Sequence, residues 1–317
     1  MEKERQTELN ISIVEKAKAL LQKGEVSRVL AWKEGVLPHL PEPAFFDSPD
    51  EAKHITYTKH CGANLSKFLI GIDVKILAFL RFCDNYSLNL LLKENQVKRE
   101  NVHIVGIGCL GICDEKDQLI ETCRSCTKKS HVVYDELMCE ELHPTWDTAH
   151  KNTENKQTAT DSASTQFFAG LDNSGQTSFD RYALVYKVES MNQEEKYDFW
   201  QNELKRCIRC NACRNICPVC HCKKCVFDGE KYDSRQIVNV SSFEEQMFHI
   251  IRAYHVAGRC SDCGQCSRVC PQKIPLHILN RKFIKDVNEF FGEYSAGEDA
   301  KTPNPLVCFD VENDPEV

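Results

Sequence analysis

Two short runs of cysteine define the chemistry available to this chain. Cys207, Cys210, Cys213 and Cys217 are spaced C-x2-C-x2-C-x3-C. Cys260, Cys263, Cys266 and Cys270 repeat that spacing, and each run is followed by proline, Pro218 or Pro271. Thiolates at this spacing hold [4Fe–4S] cubanes: three wrap three irons from one tight turn, and the fourth reaches the neighbouring cube. The expected ligand sets are therefore crossed. Cluster A takes Cys207, Cys210, Cys213 and Cys270; cluster B takes Cys260, Cys263, Cys266 and Cys217. The prolines break the local helix after each fourth cysteine. Zinc is the rival metal, but its structural sites use paired knuckles with four ligands in all, which two identical four-cysteine runs fit poorly.

The remaining thiols pose a second question. In "NVHIVGIGCLGICDEKD", residues 101–117, Gly106, Gly108 and Gly111 form G-x-G-x-x-G after a β-branched run. A dinucleotide-binding turn needs a helix next and an acid about twenty residues on. Here "ICDEKDQLIET" gives way to "CRSC" instead. The alternative is a metal mount. Cys83 and Cys109 are expected at the carboxyl ends of two parallel strands, where sites usually lie, and Cys123 and Cys126 follow closely enough to fold over that edge. A third metal centre on Cys83, Cys109, Cys123 and Cys126 is one reading; ordinary buried thiols are the other. Cys61, expected at a helix start that would favour its thiolate, is an alternative ligand. Cys220, Cys222 and Cys225 could ligate another metal together with His221 in "VCHCKKC", but for want of an obvious fourth partner they are read as packing thiols beside cluster A or as hydrogen-bonding backbone near it. Cys113, Cys139 and Cys308 are read as structural, and His249, His255 and His277 as packing or surface residues on helices.

The elements that must position these groups follow from periodicity. Residues 8–24 carry apolar positions at Ile11, Val14, Ala17, Leu20 and Leu21, a helical spacing that Gly24 ends. "VSRVLAW" reads as a short strand, and Ser48, Pro49 and Glu51 as a helix start. Residues 74–83 read as a buried strand, 87–97 as a helix and 102–108 as a strand: a parallel β-α-β unit with a right-handed crossover. Ser190 with Gln193, and Ser242 with Glu245, have the capping-box pattern that opens a helix. The expected organisation is an α/β domain over 1–142, a polar linker or surface insert over 143–185, a mainly α-helical two-cluster domain over 186–295 and a tail over 296–317.

Composition narrows the setting. Nineteen cysteines in 317 residues, grouped as C-x-x-C in a long chain whose charged first residues carry no apolar export segment, point to reduced thiols and a cytoplasmic location. No run of about 18 apolar residues appears, so no integral membrane segment is expected. Net charge is −7, yet residues 203–285 hold fifteen lysines and arginines against seven carboxylates. Those cations are interleaved with cysteines ("KRCIRC", "CKKC", "CSRVCPQK"). An anionic thiolate-bound cluster accounts for them better than nucleic acid, which would call for recognition features as well.

The long, helix-containing gap between the two runs resembles the helical two-cluster ferredoxin domain of respiratory iron–sulfur subunits and heterodisulfide-reductase-like proteins, over about residues 190–292. Beyond it, "LLQKGEVSRVLAWKEG", "HCGANLSKFL", "NQVKRENVHIVGIGCLG" and "FWQNELKRCIRCNACRNICPVCHCKKCVFD" resemble iron–sulfur electron-transfer subunits related to the β subunits of formate dehydrogenases and coenzyme F420 hydrogenases. The resemblance implies an electron relay with redox partner subunits of hydrogenase, formate dehydrogenase or heterodisulfide-reductase type in an anaerobic complex. Members of the F420 group also bind flavin, so a flavin-dependent reductase with FAD in the N-terminal domain is the alternative function, although no clear flavin motif is present. A zinc-binding interaction module is the third.

Overall fold

The structure, a computed structural model, describes residues 2–109, 111–126, 130–138, 180–228 and 242–308. Most of the expected polar insert, Cys139 and the end of the tail lie outside these residues.

The N-terminal domain is a five-stranded sheet in the order β2-β1-β3-β4-β5, with strands β1 (Arg28–Lys33), β2 (Glu42–Phe46), β3 (Ile76–Leu80), β4 (Val102–Ile107) and β5 (Glu136–Met138). β1, β3, β4 and β5 run parallel, and β2 pairs antiparallel on β1 at the edge. Every residue of β3 is buried. That is why its sequence is a continuous apolar run rather than an alternating one. Helix α1 (Glu2–Gln22) supplies Ile13, Ala17 and Leu20 to the same core.

The β-α-β unit is present, with its boundary moved. Helix α2 spans Phe82–Lys93 rather than 87–97. The cause is Asp84, whose carboxylate accepts from the Arg81 backbone N–H at 3.1 Å and from the Arg81 guanidinium, closing the helix start five residues early. Cys83 consequently lies in the first turn of α2, not at the end of a strand. Two further expectations need correction. Ser48 does accept from Glu51 N at 3.2 Å, but only a 3-10 turn follows, over Glu51–His54. Helix α5 (Gln193–Leu204) is capped by Asn192 with Glu195, not by Ser190 with Gln193.

The C-terminal domain is helical: α4 (Ala183–Glu189), α5, α6 (Ala212–Asn215), α7 (Ser242–Val256), α8 (Gln265–Arg268) and α9 (Leu276–Phe291). Phe248 on α7, Leu204 at the end of α5 and Leu276 on α9 form a small core shared with Cys213 and Cys266. The cysteine loops are thus part of the packing.

Polar contacts hold the two domains together. Glu94, at the end of α2, accepts from Arg259 at 2.5 and 2.7 Å and lies 2.6 Å from His221 Nε2. Ser87 and Ser261 hydroxyls meet at 2.7 Å, and Lys67 donates to the Cys220 carbonyl at 2.7 Å. Arg281, fully buried on α9, pairs with Asp262 at 2.9 Å and with Glu121 at 2.6 Å, tying helix α3 (Glu121–Arg124) to the second cysteine loop.

Candidate metal centres

The two cysteine runs fold into the same local shape twice. In each, the residues two and four positions after the first cysteine are left-handed: Arg209 and Asn211 in the first (φ 51° and 59°), Asp262 and Gly264 in the second (φ 54° and 68°). A one-turn helix follows each, α6 or α8. The left-handed turns aim backbone N–H groups at sulfur. Arg209 N donates to Cys207 Sγ and Asp262 N to Cys260 Sγ, both at 3.4 Å. Such N–H···S bonds orient thiolates and offset their charge.

Two cavities result. One, of about 330 Å³, is lined by Cys207, Cys210, Cys213 and Cys270 together with Phe248 and His249. The other, of about 310 Å³, is lined by Cys217, Cys260, Cys263 and Cys266 together with His277 and Asn280. Each cavity thus takes three cysteines from one run and the last cysteine of the other.

The surroundings fit an anionic, sulfur-bound group. Arg252 on α7 is buried and donates to the Cys213 carbonyl at 3.1 Å, while its Nε finds no hydrogen-bond acceptor. Burial alone would depress its guanidinium. Cys217, Cys266, Cys220 and Cys213 instead hold it above its ordinary value, so its charge is directed at sulfurs of both cavities. A buried cation costs several kcal/mol unless a negative group answers it, and thiolate-held clusters would do so. His249 is buried, its ring nitrogens have no hydrogen-bond partner among the described residues, and burial lowers it to about 3, leaving it neutral. Burial pushes Cys263 up to about 11 and Cys266 up to about 12. These thiols stay protonated until a metal displaces the proton, as expected of ligands whose binding releases protons. Cys217 is the exception. A hydrogen bond from the Cys220 thiol holds it below its ordinary value, and the same bond raises Cys220. Cys220 therefore sits against a lining sulfur of the second cavity, not beside the first.

The N-terminal thiols gather at the carboxyl edge of the sheet. Cys109 follows β4 and Cys83 opens α2. Burial is the main cause of the raised values of Cys83, Cys109 and Cys123, and like-charge repulsion adds to it: Cys109 acts on Cys83 and Cys123, and Cys126 on Cys109 and Cys123. These four are electrostatic neighbours. Among the described residues no three potential ligands stand at single-ion spacing. Cys61 is placed differently. It precedes the 3-10 turn Leu65–Leu69, which Asn64 caps, so no helix start lowers its thiol. Burial raises Cys61 to about 11, and its sulfur accepts from Thr58 N at 3.2 Å.

The glycine array has a packing explanation. A side chain at Gly106 would meet the His131 ring at 2.9 Å and Leu137 at 2.8 Å. The Gly108 carbonyl accepts from Tyr57 at 2.7 Å, and the Gly111 N–H bonds Cys109. β4 is followed by a loop and the one-turn helix α3 instead of the long helix that a phosphate cradle requires.

Sequence reasoning missed the buried arginines. Arg81 donates to Asp84 at 2.8 Å and to the Ala63 carbonyl at 2.7 Å, and it stacks 4.9 Å from the centre of the Trp32 ring. Arg268, in the second cysteine run, reaches across to the N-terminal domain, where its guanidinium covers Gly62 and donates to the His60 carbonyl at 3.3 Å. "KRC" and "CSRVC" signalled charge near sulfur; nothing local signalled burial.

A family profile described as a 4Fe-4S dicluster domain matches residues 203–274. The F420-dependent formate dehydrogenase subunit beta of Methanocaldococcus jannaschii is 23% identical, with 93% of each chain covered. The F420-dependent formate dehydrogenase 1 subunit beta of Methanococcus maripaludis is 24% identical, with 91% of each chain covered. Among solved structures, a chain of the F420-reducing [NiFe] hydrogenase complex from Methanosarcina barkeri matches 34% of this chain and 38% of its own, at 16% identity and a TM-score of 0.26. Residues 203–274 thus match a dicluster domain, and nearly the whole chain is similar to formate dehydrogenase β subunits. No helix among the described residues is long and apolar enough to cross a membrane.

Proposed function

We propose that this chain is the iron–sulfur electron-transfer subunit of a formate-dehydrogenase-like complex, relaying electrons through two [4Fe–4S] clusters. Cluster A is held by Cys207, Cys210, Cys213 and Cys270, and cluster B by Cys260, Cys263, Cys266 and Cys217. The observation that carries the reading is the pair of cavities, each lined by three cysteines of one run and one of the other. The clusters supply reversible one-electron transfer; the chain binds them, orients their sulfurs through backbone N–H groups and answers their charge through Arg252.

The same reading extends to a third centre on Cys83, Cys109, Cys123 and Cys126. Its support is their mutual electrostatic contact at the sheet edge and two cations beside them, the buried Arg81 and the half-buried Arg268. Redox partner subunits then deliver and remove the electrons. Iron and acid-labile sulfide per chain, measured on anaerobically prepared protein, test the proposal. About eight irons is the expectation for two cubanes and about twelve for three, at four irons each; a chain that binds zinc or no metal refutes it.

A further inference from the structure

The linings of the two cavities differ in exposure. The first opens to solvent: Cys210 and Pro271 are exposed, and Ile208, also in its lining, is 59% exposed. The second is covered by the N-terminal domain. Ser261 meets Ser87, and Gly264 packs so closely on Thr122 of α3 that an added Cβ would lie 2.4 Å from its hydroxyl. Asn64 hydrogen-bonds Cys263, and the Cys263 charge reaches Cys83.

The rim of the open cavity is basic. Arg209 lines it, its guanidinium 4.3 Å from the centre of the Phe248 ring, and Arg206 donates to the Gln272 carbonyl at 3.0 Å. Lys205 and Lys273, both exposed, adjoin these residues in the chain. Glu203 is buried and paired with Arg206, Glu115 lies 3.8 Å from Lys273, and Asp228, next in the chain to the Phe227 ring beside Arg209, is paired with Arg214 at 2.6 Å. This positive rim belongs to a chain of net charge −7. Such a local field selects an acidic face and speeds its encounter. Ile208, an exposed apolar residue of its lining, offers a small contact that docking would desolvate.

We propose that the face around Cys210 docks an acidic one-electron carrier protein, resting on the reading above that the cavity behind it holds cluster A. One electron crosses the interface: the carrier is oxidised by one, the cluster is reduced by one, and no bond or proton moves. Electron exchange with a reduced, acidic plant-type [2Fe–2S] ferredoxin, followed by rapid mixing and cluster absorbance on the full anaerobic protein, provides the test. The double variant Lys205→Glu/Lys273→Glu should lower the second-order rate about tenfold at low salt. The gap should close as salt rises and the Debye length falls to a few ångströms, near about 1 M. The variant should keep its iron and its full bleaching amplitude with dithionite. Ile208→Asp, which leaves the cations in place, should slow the same exchange. Full iron with native rates and native salt dependence in both variants overturns the docking face alone. A native chain without iron overturns the cluster reading and this proposal with it.

Discussion

Replacing Arg252 by Met removes one buried positive charge from between the two cavities while roughly conserving side-chain volume. Arg252 contacts the Cys213 carbonyl, and the sulfurs that raise it come from both cavities. A unit charge roughly 7 Å from the electron being added, at an effective dielectric of about 20, contributes about 2 kcal/mol. For a one-electron couple that is about 100 mV, since about 59 mV corresponds to a tenfold change in equilibrium. The sign is fixed: a cation favours the reduced, more negative form, so both midpoints should fall, cluster A and cluster B together. Redox titration followed by paramagnetic resonance reads each midpoint, and iron per chain confirms that the clusters remain. Arg252→Lys, which keeps the charge, should hold both midpoints near their native values. If Arg252→Met retains full iron and neither midpoint moves by more than roughly 20 mV, well under one tenfold step, the charge-compensation argument is wrong.

Cys210→Ala and Cys270→Ala should each remove the same cluster, lowering iron by about four per chain and erasing one common resonance signal; loss of different signals in the two variants would break the crossed assignment. Cys123→Ala should lower iron by about four more only if the N-terminal thiols hold a cubane, so unchanged iron assigns them to packing. Cys220→Ala should lower the cluster B midpoint alone, because hydrogen bonds to ligating sulfur tune the potential. Glu94→Gln should weaken docking of the two domains by about 1–2 kcal/mol, read as a lower urea midpoint, given a charge-assisted fork discounted for partial exposure. Burial alone would raise Glu94, but hydrogen bonds from Arg259 and His221 hold it below its usual 4.5. Its contribution is therefore present above about pH 4.5 and lost as pH falls through the depressed folded value. An acid-unfolding profile identical in Glu94→Gln and the native chain would contradict that sign.

The sequence revealed what local spacing encodes. Eight cysteines at fixed intervals are a local pattern, and the crossing follows from the reach of one tight turn. The buried run of β3 and the helix after it were legible for the same reason. The errors arose where two local solutions compete. Ser190 with Gln193 and Asn192 with Glu195 both fit a capping box, and the ionised Glu195 carboxylate answers the positive end of α5 better than an amide does. Asp84 decided the start of α2 by gripping Arg81. β2 escaped notice because Pro43 interrupts it, as an edge strand allows, and β5 because it has only three residues. Arg81, Arg252 and Arg281 look like surface cations in the sequence. Their burial is a tertiary fact, created when helices from distant parts of the chain close over sulfur.

That closure links metal binding to folding. Because each cavity draws on both runs, neither loop can complete a cube until α7 and α9 bring the other beside it. Burial holds Cys213, Cys260, Cys263 and Cys266 above their ordinary values, so the proton release that accompanies metal binding is part of assembling this core. Gly264 then seats the second loop against Thr122, one residue from Cys123, while Arg281 ties Asp262 to Glu121. The segment carrying Cys123 and Cys126 is thus fixed by the loop that lines the second cavity. Loss of the second cluster should therefore loosen α3 as well, whereas loss of the solvent-facing first cluster should leave α3 in place, a difference that hydrogen exchange at residues 121–126 resolves.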